Sequence, residues 1–373
     1  MPYHVKFKHA PSGYVAKSVK KGESATIIQK EFLSSEDGMA LVHRLEGFAT
    51  EVIDMLPTEA RVKSSQVDHL LLHFDREGNA TVYVNELAQI ASIKTRSDLA
   101  KGQAVFDHDI VDVERLEYQG ISVPPDHGVL VVFSKGWRKG LYFDFEPLPP
   151  MDKERVEDLW RSLGRCYGYL LFQEFHAISE QAWAALFAAK WFPFVGLKPT
   201  TIKEMIGWVN SAQSADEVLP KAAEEVRARL PSLRKLWATH AVFSDHKTIL
   251  DAAADRFEAR DWIAANSILY PRIEGVLRNV SKLSNQARLT QSELAKAPLL
   301  ASGLTRSSRL LPHMFQKYLQ EVYFETFDPK NPSNMSRNSV GHGVASADEF
   351  SEKAAVIGML IVEQVFFHLP SAS

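Results

Sequence analysis

Two hydrophobic periods share this chain, and the point where one replaces the other constrains its fold more than any single motif. Before the run Pro147-Leu148-Pro149-Pro150, apolar residues come in short alternating stretches, the mark of half-buried strands. Beyond it they recur about every 3.6 residues, the mark of helices that bury one stripe. Neither a lone sheet nor a lone bundle satisfies both patterns. The expected fold class is therefore multidomain: an N-terminal α+β domain over 1–150, a helical middle region over 151–243 and a helical bundle over 244–373. At 373 residues the chain is long enough for each part to bury an interior of its own.

In the first part, Val67 to Phe74 and Ala80 to Val84 read as a hairpin around Asp75-Arg76-Glu77-Gly78-Asn79. Val129 to Ser134 and Gly140 to Phe145 read as a second, around the basic turn Lys135-Gly136-Trp137-Arg138-Lys139. Leu41, Leu45, Phe48, Val52 and Ile53 keep a helical period between Ser35 and Leu56. After the prolines, Val156, Leu159, Trp160, Leu163, Tyr167 and Leu170 form one apolar stripe, and a helix is expected to start at Ser179. Trp191-Phe192-Pro193-Phe194 is expected to be a hydrophobic plug between domains. Pro220 and Pro231 are expected to punctuate a charged connection between helical units. Ile249 to Arg260 and Trp262 to Leu283, split by Arg260-Asp261, resemble an αα-hairpin, with a helix beginning near Pro271 because proline is costly inside one. Further helices are expected over Leu310 to Tyr323 and Ala347 to Phe367, the last a buried amphipathic helix that contains Glu363.

A net charge of −3 gives no overall attraction to nucleic acid or membrane, so a site for a polyanion has to be local. The single cysteine, Cys166, excludes an internal disulfide framework and a cysteine-based zinc site. The start, Met1-Pro2-Tyr3-His4, carries no apolar signal region and no stretch is long enough to span a bilayer, so the expectation is a cytoplasmic protein with no membrane partner. No Gly-x4-Gly-Lys-Ser/Thr or Gly-x-Gly-x2-Gly pattern supports ATP or dinucleotide chemistry, and no cofactor is expected. His108-Asp109 and Asp245-His246 read as surface pairs without further ligands at metal spacing, and no metal is expected.

The run Ser336-Arg337-Asn338-Ser339-Val340-Gly341-His342-Gly343 is the one stretch that reads as a reaction centre. Arginine offers a permanently charged planar fork for phosphate, and histidine titrates near neutrality. On a short helix from about Asn334, Asn338 and His342 share a face and Arg337 lies on the adjoining rim. Gly343 suits the position after the helix end, which puts His342 in the last turn, where the dipole favours a protonated ring. A fixed cation and a proton carrier are the requirements of metal-free RNA cleavage. From Arg272 to Lys317, eight basic residues (Arg272, Arg278, Lys282, Arg288, Lys296, Arg306, Arg309, Lys317) face two acidic ones, Glu274 and Glu293, a local excess suited to phosphates. Arg272, Arg278 and Lys282 are the RNA-binding candidates.

Arg337-Asn338-x3-His342-Gly343, followed by a short polar loop and an amphipathic helix through Met359 and Phe366, resembles the signature of the HEPN superfamily. The upstream Tyr270-Pro271-Arg272-Ile273-Glu274-Gly275-Val276-Leu277-Arg278 resembles the HEPN helix that supplies an acidic residue, here Glu274. The resemblance covers Ser244 to Pro370. It implies an all-α bundle acting as a metal-independent endoribonuclease, commonly a homodimer with two motifs in one cleft, and service as a toxin or in anti-phage abortive infection. His342 would manage protons at the 2′-hydroxyl or the leaving oxygen. Arg337 would stabilise the phosphorane, and Asn338 would orient the motif or the scissile phosphate. Products would carry 2′,3′-cyclic phosphate and 5′-hydroxyl ends. Glu274 either orients Arg337 or merely pairs with Arg278 at i,i+4. The N-terminal region would regulate the nuclease or sense a trigger.

Two other readings follow from the same sequence. One makes the C-terminal bundle a dimerising or RNA-binding module without turnover. The other makes the chain a ligand sensor whose function lies in the N-terminal half.

Overall fold

The computed structural model describes residues 2–60, 62–146, 154–282, 289–302, 308–326 and 335–369. It divides into two compact units, Met1–Lys94 with Asp112–Gln173, and Thr95–Val111 with Glu174–Ser373. The proline run 147–150 and the basic residues Arg288 and Arg306 lie outside the described residues.

The first unit is built on a six-stranded sheet. Its strands are β1 (Tyr3–Lys6), β2 (Lys30–Ser34), β3 (Leu70–Phe74), β4 (Asn79–Val84), β5 (Gly128–Lys135) and β6 (Arg138–Asp144), in the spatial order β1-β4-β3-β5-β6-β2. Every pairing is antiparallel. Both expected hairpins are present. In the first, Phe74 pairs with Ala80, and Asp75 accepts backbone N–H bonds from Glu77 and Asn79 at 2.9 and 2.8 Å while Gly78 turns the chain at φ +81°. In the second, the strands run further than their apolar residues do: Lys135 pairs with Arg138, leaving a two-residue turn in which Gly136 takes φ +62°.

Alternation sends the two faces of β3 into two cores. Leu70, Leu72 and Phe74 join Val82, Leu130, Val132, Leu141 and Phe143 beneath Leu41, Val52 and Ile53 from the helical run Met39–Asp54 and Leu56 just after it. Leu71 joins Val129, Val131 and Phe133 against Leu159, Trp160, Leu163, Cys166 and Leu170 of α1 (Glu154–Leu171). The sheet is thus covered on both sides, and α1 belongs to this unit because its apolar stripe has the sheet to pack on. Each such large side chain taken fully from water stabilises by about 1.5–3 kcal/mol.

The second unit is helical. Around α4 (Trp262–Lys282) pack α3 (Lys247–Glu258), α5 (Gln291–Ser302), α7 (Arg337–Gly341) and α8 (Glu352–Phe367); α2 (Leu219–Thr239) and α6 (Pro312–Tyr318) complete the labelled set. The αα-hairpin is present: Arg260 turns at φ +58° and the Asp261 carboxylate accepts from the Ala264 N–H at 3.1 Å. Pro271, however, does not begin a helix but lies inside α4. Its ring is exposed, while Leu269, Tyr270 and Ile273 are buried on either side and hold the helix through the missing bond. The bond that proline lacks would have gone to the Ser267 carbonyl; the Tyr270 carbonyl, one residue before the proline, also accepts from the Tyr323 hydroxyl at 2.6 Å. Pro231 is likewise exposed within a continuous α2, and Pro220 stands in its first turn, so this charged stretch is one helix and not a connection.

Two further expectations are corrected by burial. Helix α8 is not amphipathic: it is buried nearly all round from Ala354 to Phe367, starting at the Ser351 cap. Its polar residues survive there because each has partners. Glu363 binds Arg229 through two nitrogens at 2.9 Å, and Gln364 accepts from the Val195 N–H at 2.8 Å and donates to the Leu310 carbonyl at 3.1 Å. Trp191, Phe192, Phe194, Val195 and Leu197 are fully buried within the second unit's own core, against Phe315 and Tyr318, and not a plug between domains. Arg96 donates to the Val195 and Leu197 carbonyls, and Arg309 to that of Pro193, so an irregular backbone keeps its hydrogen bonds inside. No helix among the described residues is long and apolar enough to cross a membrane.

Candidate active site

Helix α7 is only five residues long. Its first turn is closed by a reciprocal capping box, in which the Ser336 hydroxyl accepts from the Ser339 N–H at 3.2 Å and the Ser339 hydroxyl accepts from the Ser336 N–H at 2.9 Å. The described motif begins at Met335, and the expected start near Asn334 lies outside the described residues. At the other end, His342 is the C-cap and Gly343 takes φ +68°, its N–H bonding the Val340 carbonyl at 3.1 Å. That is the left-handed stop expected of Gly343.

Early termination changes which residues share a face. Asn338 is buried, whereas His342 is exposed, and the His342 N–H bonds the Asn338 carbonyl at 3.0 Å. The i,i+4 neighbours are instead Arg337 and Gly341. The Arg337 guanidinium lies along α7 so that a Cβ on Gly341 would stand 3.4 Å from Nη1. Arg337 therefore reaches the end of the helix that carries His342.

Glu274 of α4 supplies the other half of the arrangement. It is 7% exposed and forms an ion pair with Arg337 Nε. The same carboxylate accepts from Arg278 Nε at 3.0 Å and Nη2 at 2.5 Å. Glu274 thus pairs along its own helix and with the motif arginine on another at once. Nη1 of Arg337 approaches Asn338 Oδ1 at 3.3 Å.

Asn338 has little capacity left for a substrate. Its Nδ2 donates to the Phe324 and Glu325 carbonyls at 2.9 and 3.2 Å, and its amide exchanges bonds with Gln291 of α5, 2.6 Å from Gln291 Nε2 to Oδ1. A neutral amide offers two N–H donors and one carbonyl, and all are engaged. Of the two roles weighed for Asn338, orienting the motif is the one its contacts serve. Lys190, at φ +59°, adds a clasp by donating to the Met335 carbonyl at 2.8 Å and pairing with Glu325 at 3.5 Å. Gln291, Ser336, Ser339 and Lys190 escape a search for chemistry in the sequence; the signal that could have found the cap is the Ser336-x-x-Ser339 spacing.

The RNA-binding candidates separate. Arg278 is engaged by Glu274 with its side chain 43% exposed, and exposed Lys282 donates to Asn279 Oδ1 at 2.9 Å. Arg272 faces His246 Nδ1 at 3.2 Å. Arg309, counted in the basic excess, is buried, with its guanidinium 3.7 Å from the Phe175 ring centroid, and is no part of an exposed phosphate surface. His246 is not half of a surface pair. It is buried against α4, where Gly275 leaves room for its ring, whereas His108 is exposed beside Asp109 as expected.

Comparison with family models, curated proteins and solved structures finds no match to this chain. The HEPN resemblance therefore rests on the residues of this chain alone.

Proposed function

We propose that the second unit is a metal-independent endoribonuclease of HEPN type. The observation that carries this reading is the Glu274–Arg337 ion pair between the two helices singled out by sequence, with the Arg337 guanidinium beside Gly341 and exposed His342 next in the chain. Glu274 holds Nε, which orients the terminal nitrogens of the fork for a phosphate. His342 moves protons at the attacking 2′-hydroxyl or the leaving 5′-oxygen, while Arg337 offsets charge on the phosphorane. One positioned acid or base contributes about 10²–10⁴-fold, and a fixed cation a comparable factor. With one such histidine per chain, a homodimer supplies the second proton carrier. Service as a toxin or anti-phage effector, controlled through the N-terminal unit in the cytoplasm, follows the same resemblance.

Incubating purified protein with mixed cellular RNA in EDTA tests the reading. Wild type is expected to leave 2′,3′-cyclic phosphate ends, and Arg337→Ala and His342→Ala to lose them while keeping the wild-type circular dichroism. Cleavage that needs a divalent metal, or that survives both substitutions, overturns it. The closure of Asn338 by Gln291 and two carbonyls favours a second reading, an RNA-holding or dimerising module without turnover. In that case RNA binds and no new ends appear.

A further inference from the structure

His246 stands at the centre of a polar contact that its neighbours cannot all satisfy. Asn279 donates from Nδ2 to the Val242 carbonyl at 3.1 Å and accepts at Oδ1 from Lys282 at 2.9 Å, which fixes the amide so that Nδ2 also points at His246 Nε2, 3.1 Å away. Nε2 must then accept, and a neutral ring carries its proton on Nδ1. Yet Nδ1 faces Arg272 Nη1, another donor, at 3.2 Å. One lone pair is asked to meet two donors, and Arg272 Nε is buried without a hydrogen-bond partner. An anionic oxygen placed between Arg272 and Nδ1 would accept from both and remove the conflict.

We propose that Arg272 and His246 form a phosphate subsite on α4, with Lys282 placed for a neighbouring phosphate, and that its ligand is the backbone of an RNA strand. The spacing favours a polyanion over a single phosphate: Arg272 and Lys282 lie ten residues apart on one helix, about 15 Å along its axis. The identity of the polyanion rests on the ribonuclease reading, whereas the anion subsite does not. Burial foremost, then Arg272 and more weakly Lys282, hold the imidazole's pKa below its usual value. A ring N–H bonding to the Gly275 backbone, which accepts, and the exposed Asp245 act the other way. A bound phosphate reverses the sign of the nearest field, so binding takes up a proton and tightens as pH falls.

The test uses the full-length His342→Ala protein in EDTA, so that cleavage plays no part. With ¹³C-labelled histidine, inorganic phosphate is expected to shift the His246 Cε1–H resonance saturably, more tightly at pH 6 than at pH 8, and Arg272→Gln is expected to weaken this at least tenfold. A labelled single-stranded RNA followed by anisotropy is expected to compete with phosphate, and exposed Lys282→Gln to weaken RNA severalfold more than it weakens inorganic phosphate. No phosphate response at His246 in a folded protein overturns the subsite. A phosphate response without RNA competition overturns the RNA assignment. If these binding arms succeed and wild type cuts no RNA, the ribonuclease reading falls while the subsite stands.

Discussion

Replacing Glu274 by glutamine separates what the sequence allows for this carboxylate from what the fold makes of it. As an i,i+4 partner of Arg278 alone it would contribute about 0.2–0.5 kcal/mol. In the fold it is buried and also binds Arg337 from a different helix. The Arg278 side chain is 43% exposed and that of Arg337 26%, so solvent screens the intrahelical pair more strongly. Breaking a fully buried ion pair by removing one partner costs roughly 3–5 kcal/mol. Partial exposure of Arg337, and the oxygen that glutamine retains, reduce this by half, to about 1.5–2.5 kcal/mol.

The assay is a pair of double-mutant cycles, Glu274→Gln with Arg337→Gln and Glu274→Gln with Arg278→Gln. Because the chain has two compact units, stability is read locally, by hydrogen exchange in peptides covering 262–282 and 337–349. The expected coupling is about 1.5 kcal/mol or more for Arg337 and below about 0.5 kcal/mol for Arg278. On the proposed mechanism Glu274→Gln also lowers kcat/KM about 10- to 100-fold by loosening the arginine fork. An Arg278 coupling equal to or above that of Arg337 refutes the reasoning and returns Glu274 to an ordinary helix pair.

Asn338→Asp is expected to destabilise more than Asn338→Ala, because a carboxylate turned on the Phe324 and Glu325 carbonyls repels them, whereas alanine only withdraws one donor from each, at about 1–3 kcal/mol, and the Glu325 carbonyl keeps its bond from the Ser336 hydroxyl; thermal unfolding ranks the two, and the opposite order would show that the amide is not the donor to these carbonyls. Arg229→Ala strands buried Glu363 and should cost about 3–5 kcal/mol in urea denaturation, while Arg229→Met with Glu363→Met recovers most of it. In the first unit, burial foremost, then His127 and His4, lower the pKa of His73 from 6.5 to about 4, and His73 Nδ1 lies 2.9 Å from His127 Nδ1. Between those values the unfolded chain binds a proton that the folded one refuses. The stability is therefore full above pH 6.5 and lost as pH falls towards 4. His73→Leu should flatten this acid limb in urea titrations at stepped pH; an unchanged slope would assign it to other groups.

What could be read in advance follows the range of the forces involved. The hairpins were legible because glycine and aspartate at Gly78, Gly136 and Asp75 settle their turns locally, and strand alternation then assigns each face. Gly343 was legible for the same reason. The i,i+4 pairing of Asn338 with His342 failed because it assumed a helix continuing past Gly341, and the cap that ends α7 there sends one side chain into the core and the other into solvent. His246 was misread because its sequence neighbour Asp245 says nothing about the glycine at Gly275 that admits its ring from another helix. The same logic governs α8. A helix apolar enough to be buried all round can carry Glu363 only where a cation arrives from elsewhere, and Arg229 does so from α2, with Gly196 giving up its side chain to make room: a Cβ there would stand 2.1 Å from the Glu363 carboxylate. Such positions show in a sequence as a charge in the wrong place and a glycine without a turn. They become intelligible together only when the packing that joins them is known.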